Sequence, residues 1–200
     1  MKKDFFQHKA DNYEEDNHRV DNVKNIANSI LTEINFNKSM EIMDFGSGIG
    51  LLLEKIAPFV KKITAIDMSS SMNKKLNDKR DSLPCEVDIL EVDLSKVKLE
   101  KKFDAIISSM TLHHIENIED IFTDFYTMLK ENGSIALADL DIEKGDFHTE
   151  DTGVYHFGFD RDTIVELAKS VGFKNIKIQS TSIAYKPHGA YPIFLLTGMK

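Results

Sequence analysis

Apolar residues along this chain alternate between two spacings. Val20, Val23, Ile26, Ala27, Ile30, Leu31 and Ile34 recur every three or four positions, which predicts a helix with one buried face. Ile42 to Phe45 is a short, nearly continuous apolar run and predicts a strand, after which Leu52, Leu53, Ile56 and Ala57 return to helical spacing. The switch repeats. Ile63 to Ile66 forms a second strand ending at Asp67, with Ser69 to Ser71 placed to cap the next helix, and Cys85 to Leu90 forms a third. Phe103 to Ser109 predicts a fourth strand, and Ile118, Ile121, Phe122, Phe125, Met128 and Leu129 an amphipathic helix. Asn132-Gly133 is expected to close that helix, because both residues tolerate a left-handed cap. Ile135 to Ala138 gives a fifth strand. Asp160-Arg161-Asp162-Thr163 opens a last helix, with Ile164, Val165, Leu167, Ala168 and Val171 facing inward.

Alternating strands and helices imply an α/β domain with a mainly parallel sheet covered on both faces. The end of the chain departs from this pattern. Asn175 to Ile183 and Tyr191 to Met199 are extended runs joined by a turn with Pro187 and Gly189, so an antiparallel hairpin is expected at the sheet edge. No repeat or inter-domain linker interrupts the pattern, and 200 residues suit one domain. Residues 1–38 read as an N-terminal helical cap segment, 39–140 as a binding core, 141–159 as a loop that walls the substrate, and 160–200 as the last helix and hairpin.

Composition narrows the partners. With 42% hydrophobic and 29% charged residues, the chain is globular rather than disordered. A net charge of −8 and scattered lysine pairs argue against a nucleic-acid partner, which needs a concentrated cationic surface. Cys85 is a single cysteine and cannot form an internal disulfide, which fits a cytoplasmic protein. The start of the chain has no apolar signal core, and the apolar stretch from Ala190 to Met199 is too short to span a bilayer, so no membrane partner is expected.

The candidate chemistry lies in Asp44-Phe45-Gly46-Ser47-Gly48-Ile49-Gly50, where a strand turns into a helix. Glycines let backbone approach a ligand closely, and a helix N-terminus presents free N–H groups to it. A dinucleotide-binding turn would need a third glycine at position 51, which is Leu51. Asp44 also disfavours a pyrophosphate and favours a ligand with a cationic part. Asp67, at the tip of the second strand, can accept from both hydroxyls of a ribose.

This stretch, with Ala65-Ile66-Asp67-Met68-Ser69, Val92-Asp93-Leu94, Phe103 to Ile115 and the Leu129-Lys130-Glu131-Asn132-Gly133-Ser134 turn, resembles the class I S-adenosylmethionine-dependent methyltransferases, similar to the type in ubiquinone and menaquinone biosynthesis. The last turn has Glu131-Asn132 where the family more often has Pro-Gly. The resemblance implies a Rossmann-like, doubly wound, seven-stranded sheet, mostly parallel with the antiparallel C-terminal hairpin. It also implies S-adenosylmethionine as cofactor, with S-adenosylhomocysteine as product. By the same resemblance Gly46, Ser47, Gly48 and Gly50 would pass beneath the methionine part, and Asp44 would complement its ammonium group. Asp67 would take the ribose, Met68 would pack on the adenine, Asp93 and Leu94 would meet the adenine amino edge, and Ser109 and Tyr13 would touch or cover the cofactor.

The implied reaction is methyl transfer to an N, O, S or C atom of a small-molecule acceptor. A general base is needed only if the acceptor must lose its proton early. His113, His114, Asp139 and His156 are the candidates. His148 and His156, eight residues apart on a loop, are a weak metal signal, and no metal is expected. A protein that binds the cofactor without turnover and a nicotinamide-dependent oxidoreductase are the competing readings. Oligomeric state is open between monomer and homodimer.

Overall fold

The computed structural model describes residues 17–200; Tyr13 lies outside the described residues. A helix α1 (Asn17–Glu33) leads into the sheet strands and helices β1 (Glu41–Phe45), α2 (Leu51–Ile56), β2 (Lys62–Asp67), α3 (Ser70–Lys79), β3 (Glu86–Glu91) and β4 (Phe103–Ser109). They continue with α4 (Ile118–Met128), β5 (Leu129–Leu140), α5 (Arg161–Val171), β6 (Lys174–Lys186) and β7 (Gly189–Met199). The seven strands form one sheet in the order β3-β2-β1-β4-β5-β7-β6. β1 lies inside it, parallel to β2 and β4, with Ile42 beside both Ile63 and Ala105. β7 runs antiparallel to β5 and β6, and it sits between them, so β6 alone forms that edge.

Strand alternation separates two cores. Ile42, Ile63, Ala105 and Ile107 point to one face, where Ile26, Ile30, Leu53, Ile56 and Leu76 of α1, α2 and α3 cover them. Met43, Ile106 and Leu137 point to the other, against Phe122 and Phe125 of α4 and Ile164 and Ala168 of α5. The helices begin where side chains replace missing backbone acceptors: Ser69 accepts from Met72 N, Asn117 from Asp120 N and Asp160 from Thr163 N. Among the described residues no helix is long and apolar enough to cross a membrane.

Two expectations need correction. The third strand is shifted by one residue, to Glu86–Glu91. More substantially, α4 stops at Met128, and Leu129 is already extended and pairs with Phe103. Asn132-Gly133 therefore does not close the helix. It turns an irregular stretch within β5: the residues between Leu129 and Ser134 leave the ladder opposite Asp104, Ser134 re-enters it beside Ala105, and Asn132 takes φ 62°. Gly133 is required there because a Cβ would lie 2.9 Å from Lys130 O.

Candidate active site

The turn from β1 into α2 is held by its own backbone. Gly46 N and Ser47 N donate to Ile66 O at 2.8 and 3.1 Å, and Gly50 N donates to Ser47 O at 2.8 Å. All three glycines have positive φ, but their surroundings differ. A Cβ on Gly46 would stand 2.1 Å from Thr111 Oγ1, and one on Gly50 2.5 Å from Leu76 Cδ1. At Gly48 it would meet nothing within 4 Å, so this is the glycine that faces open space. Asp67 braces the turn: its Oδ2 accepts from Gly48 N and its Oδ1 from Ser69 N, each at 2.8 Å.

Beneath the turn, Asp44 is 1% exposed and its Oδ2 has no hydrogen-bond partner; the buried Ser47 Oγ has none either. Burial, and then the negative charge of Asp67, push the Asp44 carboxyl up to about 8. Asp44, Ser47 and Gly48 line a cavity of about 270 Å³ at the carboxyl ends of the parallel strands. Met68, half exposed, lines it with Val92, Asp93, Leu94 and Ser109. Asp93 is held in place: Ser95 N and Oγ donate to its Oδ1, and Lys96 Nζ to its Oδ2 at 2.7 Å.

The far wall begins where the chain leaves β4. Met110 takes φ 58°, an uncommon conformation for a non-glycine residue, and its N donates to Ala138 O. The turn that follows brings His113 and His114 to the cavity. His113 is 1% exposed; its Nδ1 lies 2.6 Å from Oδ1 of the fully buried Asp139, and its backbone N also donates to that carboxylate. Burial opposes ionisation of Asp139, but the charge and hydrogen bond of His113, with two backbone N–H donors, outweigh it and hold the carboxyl below its usual range. Asp139 thus sits behind His113 and does not itself line the cavity.

The segment between β5 and α5 contains neither helix nor strand, and its base is closed. Asp141 and Phe159 form a bridge, Ile142 N donates to Phe159 O, and Arg161 grips Asp141 through two bonds of 2.6 and 2.7 Å. The segment lays Phe147, His148 and Thr152 along the cavity. His148 Nε2 stands 3.1 Å from His113 Nε2, whereas His156 bonds the Ile115 carbonyl through Nε2 at 2.8 Å and is not on the cavity. The structure therefore groups His148 with the His113–His114 pair and separates it from His156.

Sequence reasoning expected an N-terminal cap without naming its cavity residues, and it missed the wall formed by the end of β6. His18, Arg19 and Asn22 of α1, and Tyr185 and Lys186 at the end of β6, also line the cavity. The expected strand ended at Ile183, short of Tyr185 and Lys186, and the relation of α1 to β6 comes only from packing.

A methyltransferase domain family model matches residues 17–178. An uncharacterised methyltransferase of Schizosaccharomyces pombe is 30% identical over 74% of this chain and 59% of its own length. A malonyl-[acyl-carrier protein] O-methyltransferase of Priestia megaterium is 29% identical over 56% of this chain and 42% of its own. The chain thus spans roughly half the length of the curated relatives it matches. Among solved structures, a candidate methyltransferase of Haloferax volcanii in complex with the activator Trm112 aligns over 100% of this chain and 99% of its own, with a TM-score of 0.78 at 13% identity. Phosphoethanolamine N-methyltransferase 2 of Haemonchus contortus aligns over 87% of this chain and 52% of its own, with a TM-score of 0.72 at 16% identity. The fold agrees with these neighbours and the family model spans most of the chain, so this chain belongs to the methyltransferase domain family, in its class I S-adenosylmethionine-dependent form.

Proposed function

We propose that the chain binds S-adenosylmethionine in the cavity above the Gly46–Gly50 turn and transfers its methyl group to a small-molecule acceptor. The observation that carries this reading is Asp44, a fully buried carboxylate with an unpartnered oxygen on the cavity wall. A buried acid in that state fits a cationic group such as an ammonium, whose charge would favour the ionised form, and offers a pyrophosphate no cationic partner. Gly48, whose Cβ position is open, lets backbone pass under the ligand. Asp67 and Asp93 already accept N–H or O–H donors, and a carboxylate has further lone-pair sites with which to accept from ribose hydroxyls or an adenine amino group.

When bound, S-adenosylmethionine supplies a sulfonium methyl and its own leaving group. What remains for the protein is to hold the acceptor atom in line behind the methyl carbon and to exclude water. The α1 residues, and Phe147, His148 and Thr152 of the 141–159 segment, line the same cavity. For an acceptor that must lose a proton, His113 is the group in this chain best placed to take it, with Asp139 orienting the ring. A cavity of about 270 Å³ and a net charge of −8 favour a metabolite over RNA, although the similar proteins include a ribosomal RNA small subunit methyltransferase as well as a ubiquinone biosynthesis O-methyltransferase.

Calorimetry with S-adenosylmethionine, S-adenosylhomocysteine and NAD tests the cofactor: both sulfur ligands should bind and NAD should not, and the opposite pattern overturns the reading. A panel of oxygen, nitrogen, sulfur and carbon acceptors, scored by S-adenosylhomocysteine release, tests turnover. Silence across the panel in a protein that binds both sulfur ligands would favour a binding protein instead.

A further inference from the structure

We propose that His113, His114 and His148 form a binding site for one divalent ion of the zinc type, open towards the cavity. The three side chains each offer one nitrogen, and these nitrogens all lie within 4.8 Å of one another. The rings come from two separate parts of the chain. His113 and His114 sit on the turn after β4, and His148 sits on the segment that follows β5. All three line the cavity.

Hydrogen bonding at the outer side of each ring points to a metal. Histidine ligands characteristically donate their second N–H to a carboxylate, carbonyl or hydroxyl, which fixes the tautomer and turns the other nitrogen inward. Here His113 Nδ1 faces Asp139 Oδ1 at 2.6 Å, His114 Nδ1 faces Gly153 O at 3.2 Å, and His148 Nδ1 faces Thr152 Oγ1 at 3.1 Å. An ionised carboxylate and a carbonyl can only accept, so on His113 and His114 Nδ1 carries a proton, and in the neutral ring Nε2 then carries a lone pair. Thr152 can accept as readily as donate, so His148 can take the same tautomer.

The spacing suits an ion as well. His113 Nε2 and His148 Nε2 are 3.1 Å apart. Two nitrogens each about 2.0–2.1 Å from a tetrahedral zinc ion stand about 3.3 Å apart, so a shift of a few tenths of an ångström would seat it. Three neutral imidazoles are a ligand set for zinc, copper or nickel rather than for magnesium or calcium, which take oxygen ligands. Three protein ligands with a fourth position facing a cavity is the arrangement of reactive rather than purely structural zinc sites. With such an ion bound, His113 Nε2 would be a ligand and no longer a base; the ion itself would bind an acceptor oxygen or sulfur at that position and favour its deprotonated form. It would also tie the 141–159 segment to the end of β4.

Without an ion the same contacts can be satisfied by hydrogen bonds alone. Thr152 would donate to His148, His148 Nε2–H to His113 Nε2, and His113 Nδ1–H to Asp139, as a chain of neutral hydrogen bonds. Only one of the two arrangements takes up metal, and metal uptake is measurable without cofactor or acceptor, so the outcome is independent of the methyl-transfer reading.

The experiment uses the full, tag-free chain, stripped with a chelator and dialysed. It is titrated with zinc chloride by calorimetry and with cobalt(II) chloride by visible absorption. One zinc ion per chain should bind, and cobalt should give the intense d–d bands of a four-coordinate nitrogen site. His148→Ala should weaken zinc binding at least 100-fold. Asp139→Asn, which alters only the group behind His113, should weaken it 10- to 100-fold. His188→Ala, in the β6–β7 turn with its ring on Asp146 O, should leave it unchanged. Absence of saturable zinc or cobalt binding by the wild-type chain would overturn the proposal, as would full-affinity binding by folded His148→Ala. The wild-type titration decides the question even if a variant fails to fold.

Discussion

At the residue scale, Asp44 sets the clearest expectations. Its folded carboxyl is raised to about 8 from an ordinary value near 4, so the folded chain holds a proton that the unfolded chain releases between those values. This contribution to stability is complete below about pH 4 and is lost as pH rises towards 8. Asp44→Asn removes that loss, so the melting temperature of the ligand-free variant should exceed wild type by more at pH 8 than at pH 4.5. Binding of an ammonium beside Asp44 should reverse the balance and expel the proton. Calorimetry at pH 7 in two buffers of different ionisation enthalpy should show about one proton released per S-adenosylmethionine bound; the Asn variant should release none and bind more weakly. The neighbouring glycines separate fold from function. Gly46→Ala drives a methyl into Thr111 and should destabilise the chain. Gly48→Ala carries only the cost of a left-handed alanine, about 1 kcal/mol, while its methyl enters the space left for the ligand. Thermal melts and cofactor titrations of the pair should give opposite rankings. Most of this site was legible in the sequence because it is local: Asp44, the glycines and Asp67 lie at strand ends that periodicity locates. The distinct roles of Gly46 and Gly48 were not, because they depend on Thr111, which arrives from β4.

At the element scale, the 141–159 segment shows how a stretch without regular structure can still be placed. Its two ends are joined by the Asp141–Phe159 bridge and by Arg161, which holds Asp141 through a bidentate contact and also reaches Ser180 Oγ. Further along, Tyr155 N and His156 N both donate to His113 O. Arg161→Ala should loosen the base without unfolding the domain. Hydrogen exchange at the amides of Ile142, Glu143 and Phe159, all bonded across this base, should quicken at least tenfold, while amides of β1 and β4 stay unchanged. Length and composition marked the segment as a substrate wall, but not which histidine faces inward. His148 and His156 have similar sequence surroundings; a carbonyl contact with Ile115 withdraws one, and a ring contact with His113 keeps the other on the cavity. The Asn132-Gly133 reading failed for a related reason. Its left-handed preference was correct, but an irregular turn within a strand uses that preference as readily as a helix cap, and the pairing of Leu129 with Phe103 placed the turn in β5.

At the scale of the whole molecule, the alternating patterns announce a mainly parallel sheet and one terminal hairpin, while the strand order comes from the structure. Placing β7 inside the sheet required knowing that its residues are apolar on both faces: Ile193, Leu195, Phe194 and Leu196 are all fully buried, against one core and then the other. Phe194→Ala should therefore cost about 3–5 kcal/mol of global stability, read as a shift in denaturant midpoint with little change in slope. By contrast, β6 covers only one flank of β7 and carries several exposed positions, so equivalent truncations there should cost much less.

The interior position of β7 also bears on how the chain is made. During synthesis, β1 to β5 and their helices leave the ribosome before residues 189–199 exist as polypeptide. Until then the apolar edge of β5, from Ser134 to Leu140, has no partner strand. A nascent chain paused after α5 thus presents an open, hydrophobic sheet edge of the kind that recruits chaperones or other nascent chains, and late arrival of β7 is the event that silences it.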